Sequence, residues 1–96
     1  MRAYTYILYS NKLDRYYIGS TELKPEQRLD LHLSKNYGYA KYTAKADDWI
    51  IYESNICNNI SIARKVESYI KRMKNRKFIE SLKDNTGKWD WIIERM

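Results

Sequence analysis

Two tyrosines, an arginine, a histidine and a glutamate are the residues of this 96-residue chain whose types and order can do chemistry together. Tyr6 lies in the run Tyr4-Thr5-Tyr6-Ile7-Leu8, Tyr17 opens Tyr17-Ile18-Gly19, Arg28 and His32 follow four residues apart, and Glu67 comes later. A phenol and an imidazole can handle protons, and a planar guanidinium can hold two oxygens of an anion. A carboxylate is a hard ligand for a divalent cation. The set answers the needs of phosphodiester hydrolysis, in which water must lose a proton, charge builds on the phosphoryl oxygens and an alkoxide must leave. Each residue also has an ordinary explanation. Strand tyrosines mostly pack while the hydroxyl finds a partner, and with ten in the chain most must do that. His32 alone reads as a satisfied boundary residue, and Arg28 can pair with Glu26 or Asp30. Glu67 with Lys71 one turn on is a helical ion pair worth about 0.3–0.5 kcal/mol. Weight comes from the five occurring in one order.

The elements that must position them follow from pattern. Arg2 to Ser10 is rich in aromatic and β-branched residues and reads as a strand buried on both faces. Asn11-Lys12-Leu13-Asp14 reads as a turn and Arg15 to Ser20 as the return strand of a hairpin, which places Tyr6 and Tyr17 on facing positions. Gly19 at the strand end fits a close approach. Pro25 suits a first helical position, so a helix is expected over Lys24 to Ser34, with Arg28 and His32 on one side and Leu29 and Leu33 turned to the core. Asn36 to Lys45 reads as a loop that can lie beside a bound strand. Trp49 to Glu53 is the third strand. Asn58 and Asn59 offer a cap for a helix from Ile60 to Asn75, whose inward stripe is Ile62, Val66, Tyr69, Ile70 and Met73, with Glu67 at its border. Asn75 breaks it before a last helix ending near Leu82. The stretch from Asp84 to Met96, with Trp89, Trp91, Ile92 and Ile93, carries no assignable pattern.

Composition bounds the rest. Ninety-six residues suffice for one core, and 44% hydrophobic with 15% aromatic residues argues against disorder. No early apolar run is long enough for a signal peptide or a membrane span, so a soluble, cytoplasmic protein is expected. The single Cys57 and single histidine exclude the common zinc sets, and Cys57 reads as a packing residue near a strand end. Net charge is +6. Arg64, Lys65, Lys71, Arg72, Lys74, Arg76 and Lys77 stand against Glu67 alone, so this stretch carries the whole excess. A concentrated basic run points to a polyanion partner or to a solvated helix face.

The Tyr17-Ile18-Gly19 motif, the Tyr-rich strand before it, and Arg28, His32 and Glu67 after it resemble the signature of the GIY-YIG nuclease family over Ala3 to Leu82. The likeness is to its small single-domain branch, related to the N-terminal nuclease domain of excision-repair proteins. It implies an α/β fold, a small three-stranded antiparallel sheet flanked by helices, with the nuclease domain at 1–83 and 84–96 an extension packed on it. It implies a divalent-metal-dependent endonuclease acting on DNA, in repair or recombination, in which Tyr6 deprotonates or positions the water, His32 draws off its proton and Tyr17 orders the site. A phenol with a pKa of about 10 needs help, which Arg28 or a metal would give by lowering it. Arg28 also holds phosphoryl charge, and Glu67 carries one Mg2+ (or Mn2+). DNA would meet Lys41 and Lys45 in the loop and Arg64, Lys71, Arg72 and Lys74 on the helix. Here Tyr4-Thr5-Tyr6 stands for Gly-Ile-Tyr, and Ser20 stands where the excision-repair members have a lysine. No attached DNA-binding domain is visible, so low specificity, or specificity from a protein partner, is expected of a monomer or weak dimer. Two rival readings are a non-catalytic nucleic-acid-binding module with the same fold, and a protein-interaction domain using Trp89 and Trp91.

Overall fold

The computed structural model describes residues 1–34, 43–73 and 75–96. The expected loop over Asn36 to Lys45 falls outside these residues except at its end, where Thr43–Lys45 forms one turn of 3-10 helix. Lys41 and Lys74, two of the expected DNA contacts, also lie outside them.

Strand β1 (Ala3–Ser10) occupies the centre of a three-stranded antiparallel sheet ordered β2-β1-β3, with β2 (Arg15–Thr21) and β3 (Ile50–Cys57) at its edges. The central position explains the β-branched and aromatic content of β1, because both its faces are covered. Ala3 and Ile7 join a core under helix α2 (Ile60–Met73), while Tyr6 and Leu8 join a second core with Trp49, Ala46 and the apolar side of helix α1 (Pro25–Ser34). The fold is therefore α/β, with α1 on one face of the sheet and α2 on the other. The turn at 11–14 closes with Asp14 at φ +52, a left-handed conformation that Asp tolerates through local hydrogen bonds. Its carboxylate is held from outside the turn: Tyr9 donates to it at 2.7 Å and Arg76 pairs with it, and Arg76 first, then Tyr9, holds the carboxyl below its usual range.

Local chemistry starts the helices where expected. Pro25 is the first residue of α1, and Asn59 accepts from the Ile62 amide at 2.9 Å, capping α2. The main differences from the sequence reading fall in four elements. The third strand runs to Cys57, not Glu53, because Ala3 to Thr5 pair with Asn55 to Cys57 across a bulge near Ile7 and Leu8. Helix α2 ends at Met73 and turns Ala63, Val66 and Ile70 inward. Met73 is 41% exposed, so Ala63 takes the place expected of it. An alanine is needed there because Thr5 Oγ1 of the sheet donates to its carbonyl at 2.9 Å, which brings the helix close. Asn75 caps a short helix α3 (Arg76–Glu80), ending two residues before Leu82. The unassigned stretch folds as helix α4 (Thr86–Glu94), capped by Asn85, with Trp89 and Ile92 buried in the core beneath α2 and the Trp89 indole donating to Leu82 O at 3.1 Å. No described helix is long and apolar enough to cross a membrane.

Candidate active site

The site begins with a missing side chain. In the β1–β2 ladder Tyr6 pairs with Gly19 and Leu8 with Tyr17. Tyr6 and Tyr17 are thus diagonal neighbours on one face, with ring centroids 6.4 Å apart, and not the facing pair expected from the sequence. The register lets the Tyr6 ring lie over Gly19. A Cβ on Gly19 would come within 2.5 Å of the Tyr6 hydroxyl and 2.6 Å of Cζ, so no other residue fits beneath the ring.

Crossing Gly19 carries the Tyr6 hydroxyl to α1. Arg28 Nε donates to it at 3.2 Å and His32 Nε2 lies 2.8 Å from it. Arg28 and His32, one turn apart, reach the same oxygen, which is what their spacing allows. His32 is fully buried and belongs to the inner face of the helix, with Leu29 and Leu33 only partly buried beside it. Its second nitrogen, Nδ1, is 3.0 Å from Thr43 Oγ1, and the Tyr17 ring meets the imidazole edge-on at 5.1 Å.

Burial sets the protonation of this group. Desolvation pushes the Tyr6 phenol up to about 12, outweighing the hydrogen bond from Arg28 that acts downward. Arg28 does act downward on the phenol, as expected, but burial outweighs it, since a phenolate in a closed pocket loses more hydration than one guanidinium returns. Burial first, then Arg28, pushes the His32 imidazole down to about 4, so it is neutral near pH 7. With Tyr6 protonated and donating to Nε2, the imidazole proton falls on Nδ1, facing Thr43.

Glu67 approaches from the other face. Ser20, the residue after Gly19, points the opposite way along the strand, as the strand period of two requires, and its hydroxyl donates to Glu67 Oε1 at 2.6 Å. Lys71 Nζ holds Oε2 at 2.5 Å, the helical ion pair expected from spacing. The constellation therefore straddles β2: Tyr6, Tyr17, Arg28 and His32 on one face, Ser20 and Glu67 on the other. The two halves sense each other, because the Glu67 charge is among the causes that raise Tyr6, the smallest of them.

Of the expected DNA contacts, Arg64, Lys71 and Arg72 are exposed on α2 and Lys45 is exposed at the end of the 3-10 turn. Lys71 is tied to Glu67, and Arg76 to Asp14 and Glu80, so the basic run is not one uniform surface. Sequence reasoning missed Thr43, which no local pattern marks, and gave Ser20 no partner.

The fold is a small antiparallel sheet flanked by helices, in which a phenol, a guanidinium and an imidazole meet at one oxygen on one face of β2 and a carboxylate stands on the other. The family model described as the GIY-YIG catalytic domain matches residues 2–80, and the chain belongs to the GIY-YIG family. Membership carries nuclease activity in general, with DNA as the substrate class it implies. No curated protein and no solved structure matches the chain.

Proposed function

We propose that the protein is a divalent-metal-dependent endonuclease that hydrolyses DNA phosphodiester bonds with low intrinsic sequence specificity. The observation that carries this reading is the Tyr6 hydroxyl, buried over Gly19 and shared by Arg28 and His32. A packing tyrosine needs one partner; this one is placed between a cation and a base. The domain is taken to span 1–83, with 84–96 an extension completing its core.

Tyr6 acts as a held hydroxyl and not as a resident phenolate. Burial pushes the Tyr6 phenol up and the His32 imidazole down, so complete proton transfer between them in the resting site is strongly uphill. The two proton movements must therefore be concerted with attack. Tyr6 takes a proton from water as the water oxygen bonds to phosphorus, and gives its own to His32 Nε2. The phosphate charge nearby makes the imidazolium less costly. The P–O bond to the leaving oxygen breaks, solvent protonates that oxygen, and His32 Nε2 returns its proton to Tyr6 as Tyr6 gives one up to the departing product. Arg28 holds the phosphoryl oxygens through its guanidinium, and Tyr17, against His32 and Tyr6, keeps the imidazole oriented.

Glu67 fits a divalent cation. It is a hard oxygen donor with its side chain 19% exposed, and Mg2+ accepts a single carboxylate when water and phosphate oxygens complete its shell. Bound there, the cation would supply fixed positive charge for the phosphoryl oxygens and the leaving alkoxide. Ser20 orients one Glu67 oxygen, and Lys71, half exposed, releases the other by turning to solvent.

The binding-module reading keeps one supporting observation: Lys71 neutralises Glu67, so the acid does not oppose phosphate. Nicking of supercoiled DNA with and without Mg2+ separates the two. Glu67→Gln is expected to reduce nicking by orders of magnitude and to abolish Mn2+ binding measured by electron paramagnetic resonance, while DNA binding persists. Tyr6→Phe should lose nicking with Mn2+ binding retained. Wild-type protein that cuts no DNA form with Mg2+ or Mn2+ would return the domain to the binding reading.

A further inference from the structure

Seven cations lie between Arg64 and Lys77, and the fold sorts them. Arg76 is committed to Asp14 and Glu80, and Lys71 to Glu67. Arg64, Lys65 and Arg72 are in no ion pair among the described residues, yet they line one cleft along α2 with Ile60, Ser61, Ser68 and Met96, and no Asp or Glu enters its wall. Three unpaired cations and two hydroxyls concentrated in one concavity raise the local positive potential well above that of scattered surface lysines. The inward stripe of α2 is Ala63, Val66 and Ile70, so this cleft opens on the side of the helix turned from the sheet. Tyr6, Arg28 and His32 lie beyond the sheet, under α1.

We propose that this cleft is a second phosphate-backbone site, which grips a segment of nucleic acid other than the phosphodiester being cut. Arg64, Ser68 and Arg72 follow one another at i, i+4, i+8, and Arg64 to Arg72 covers about 12 Å of helix at roughly 1.5 Å per residue. Phosphates of one DNA strand advance about 3.4 Å each along the axis, so the row spans three to four of them. Arg offers forked donors to phosphate oxygens, and serine hydroxyls donate between them without adding charge. The sheet separates this row from the Tyr6 hydroxyl, so one phosphate cannot touch both, and the substrate must be DNA that continues around β2 or presents a second arm. The identity of the ligand as DNA rests on the nuclease reading; the phosphate chemistry of the cleft does not.

The test is fluorescence anisotropy of a labelled 20-base-pair duplex across a sodium chloride series without divalent metal, so that binding is read whether or not the protein cuts. The triple substitution Arg64→Ala, Lys65→Ala and Arg72→Ala should weaken binding at least tenfold near 100 mM salt and make the log–log salt slope shallower by up to about 2.7, at about 0.9 per phosphate contact. The charge-matched control Lys12→Ala, Lys83→Ala and Lys88→Ala should leave the slope within about 0.5 of wild type. Circular dichroism melting of both variants checks that these surface changes leave the fold intact. Inorganic polyphosphate and single-stranded RNA as competitors distinguish free polyphosphate and RNA from duplex DNA as the preferred source of the phosphates. An unchanged slope in the triple variant, an equal loss in the control, or stronger competition by polyglutamate than by duplex at equal charge would overturn the proposal. Nicking that survives with an unaltered slope would sink the cleft and spare the nuclease.

Discussion

Lowering the pH through 6.5 should destabilise this protein through one residue. His32 has its ordinary value of 6.5 in the unfolded chain and about 4 in the folded one, and it is fully buried. Between those values the unfolded state binds a proton that the folded state refuses. Stability therefore rises with pH across this window and is lost as pH falls. About 2.5 decades at roughly 1.36 kcal/mol each give about 3 kcal/mol, with a slope near 1.4 kcal/mol per pH unit around pH 5. Among the described residues the imidazole meets Arg28 on its own helix, Tyr6 and Tyr17 from the sheet and Thr43 from the 3-10 turn, and the Arg28 charge opposes its protonation. Asp14 and Asp48, held below 3.8 chiefly by Arg76 and Ser10, lose their contribution only as pH falls further, so the windows separate. Urea unfolding at pH 8 to 4.5 reads the slope. As His32 is the only histidine, a single imidazole resonance reads its titration by NMR. His32→Asn should abolish the pH dependence between 6.5 and 4.5, whatever its own stability. An imidazole that titrates near 6.5 in the folded protein, with stability flat over this range, would refute the buried neutral histidine and with it the relay from Tyr6.

Two further outcomes follow from packing. Gly19→Ala places a Cβ 2.5 Å from the Tyr6 hydroxyl; since overpacking of this kind costs about 1–3 kcal/mol, a lower melting temperature and a large loss of nicking are expected together, and an unaffected variant would mean that the ring does not need its seat. Trp89→Ala removes a buried side chain and its bond to Leu82 O, so about 3–5 kcal/mol should be lost; chemical denaturation that shows less than 1 kcal/mol would make α4 a dispensable appendage.

Much of this architecture was legible because it is local. Pro25, Asn59 and Asn75 mark helix starts by chemistry that acts within one turn, and the hairpin follows from two apolar runs and a short turn. What escaped depends on register and contact. Tyr6 and Tyr17 seemed opposite because strand lengths alone leave the pairing open, whereas the turn ending at Asp14 sets Tyr6 against Gly19. The leucines of α1 drew the inward stripe to themselves, but His32 is buried more deeply, since Tyr6 and Thr43 satisfy both its nitrogens. Thr43 lies in a stretch with no periodicity. Met73 was the larger apolar residue, yet Ala63 faces the sheet because size, not hydrophobicity, limits how near α2 can come. The order of Tyr6, Tyr17, Arg28, His32 and Glu67 was visible; that the last approaches across the opposite face of β2 was not.

Among the described residues, strand β2 is bonded to the sheet through β1 alone. Both halves of the site hang on two of its consecutive residues, Gly19 beneath the Tyr6 ring and Ser20 at the Glu67 carboxylate. Edge ladders open more readily than central ones, so the lifetime of the assembled site is governed by the sub-global opening of one ladder and not by the unfolding of the whole domain. A bare strand edge is ordinarily a hazard that proteins cover with charge, a bulge or another element. On the proposed function, a polyanion crossing this rim would cover it, slowing amide exchange along β2 and tightening the site.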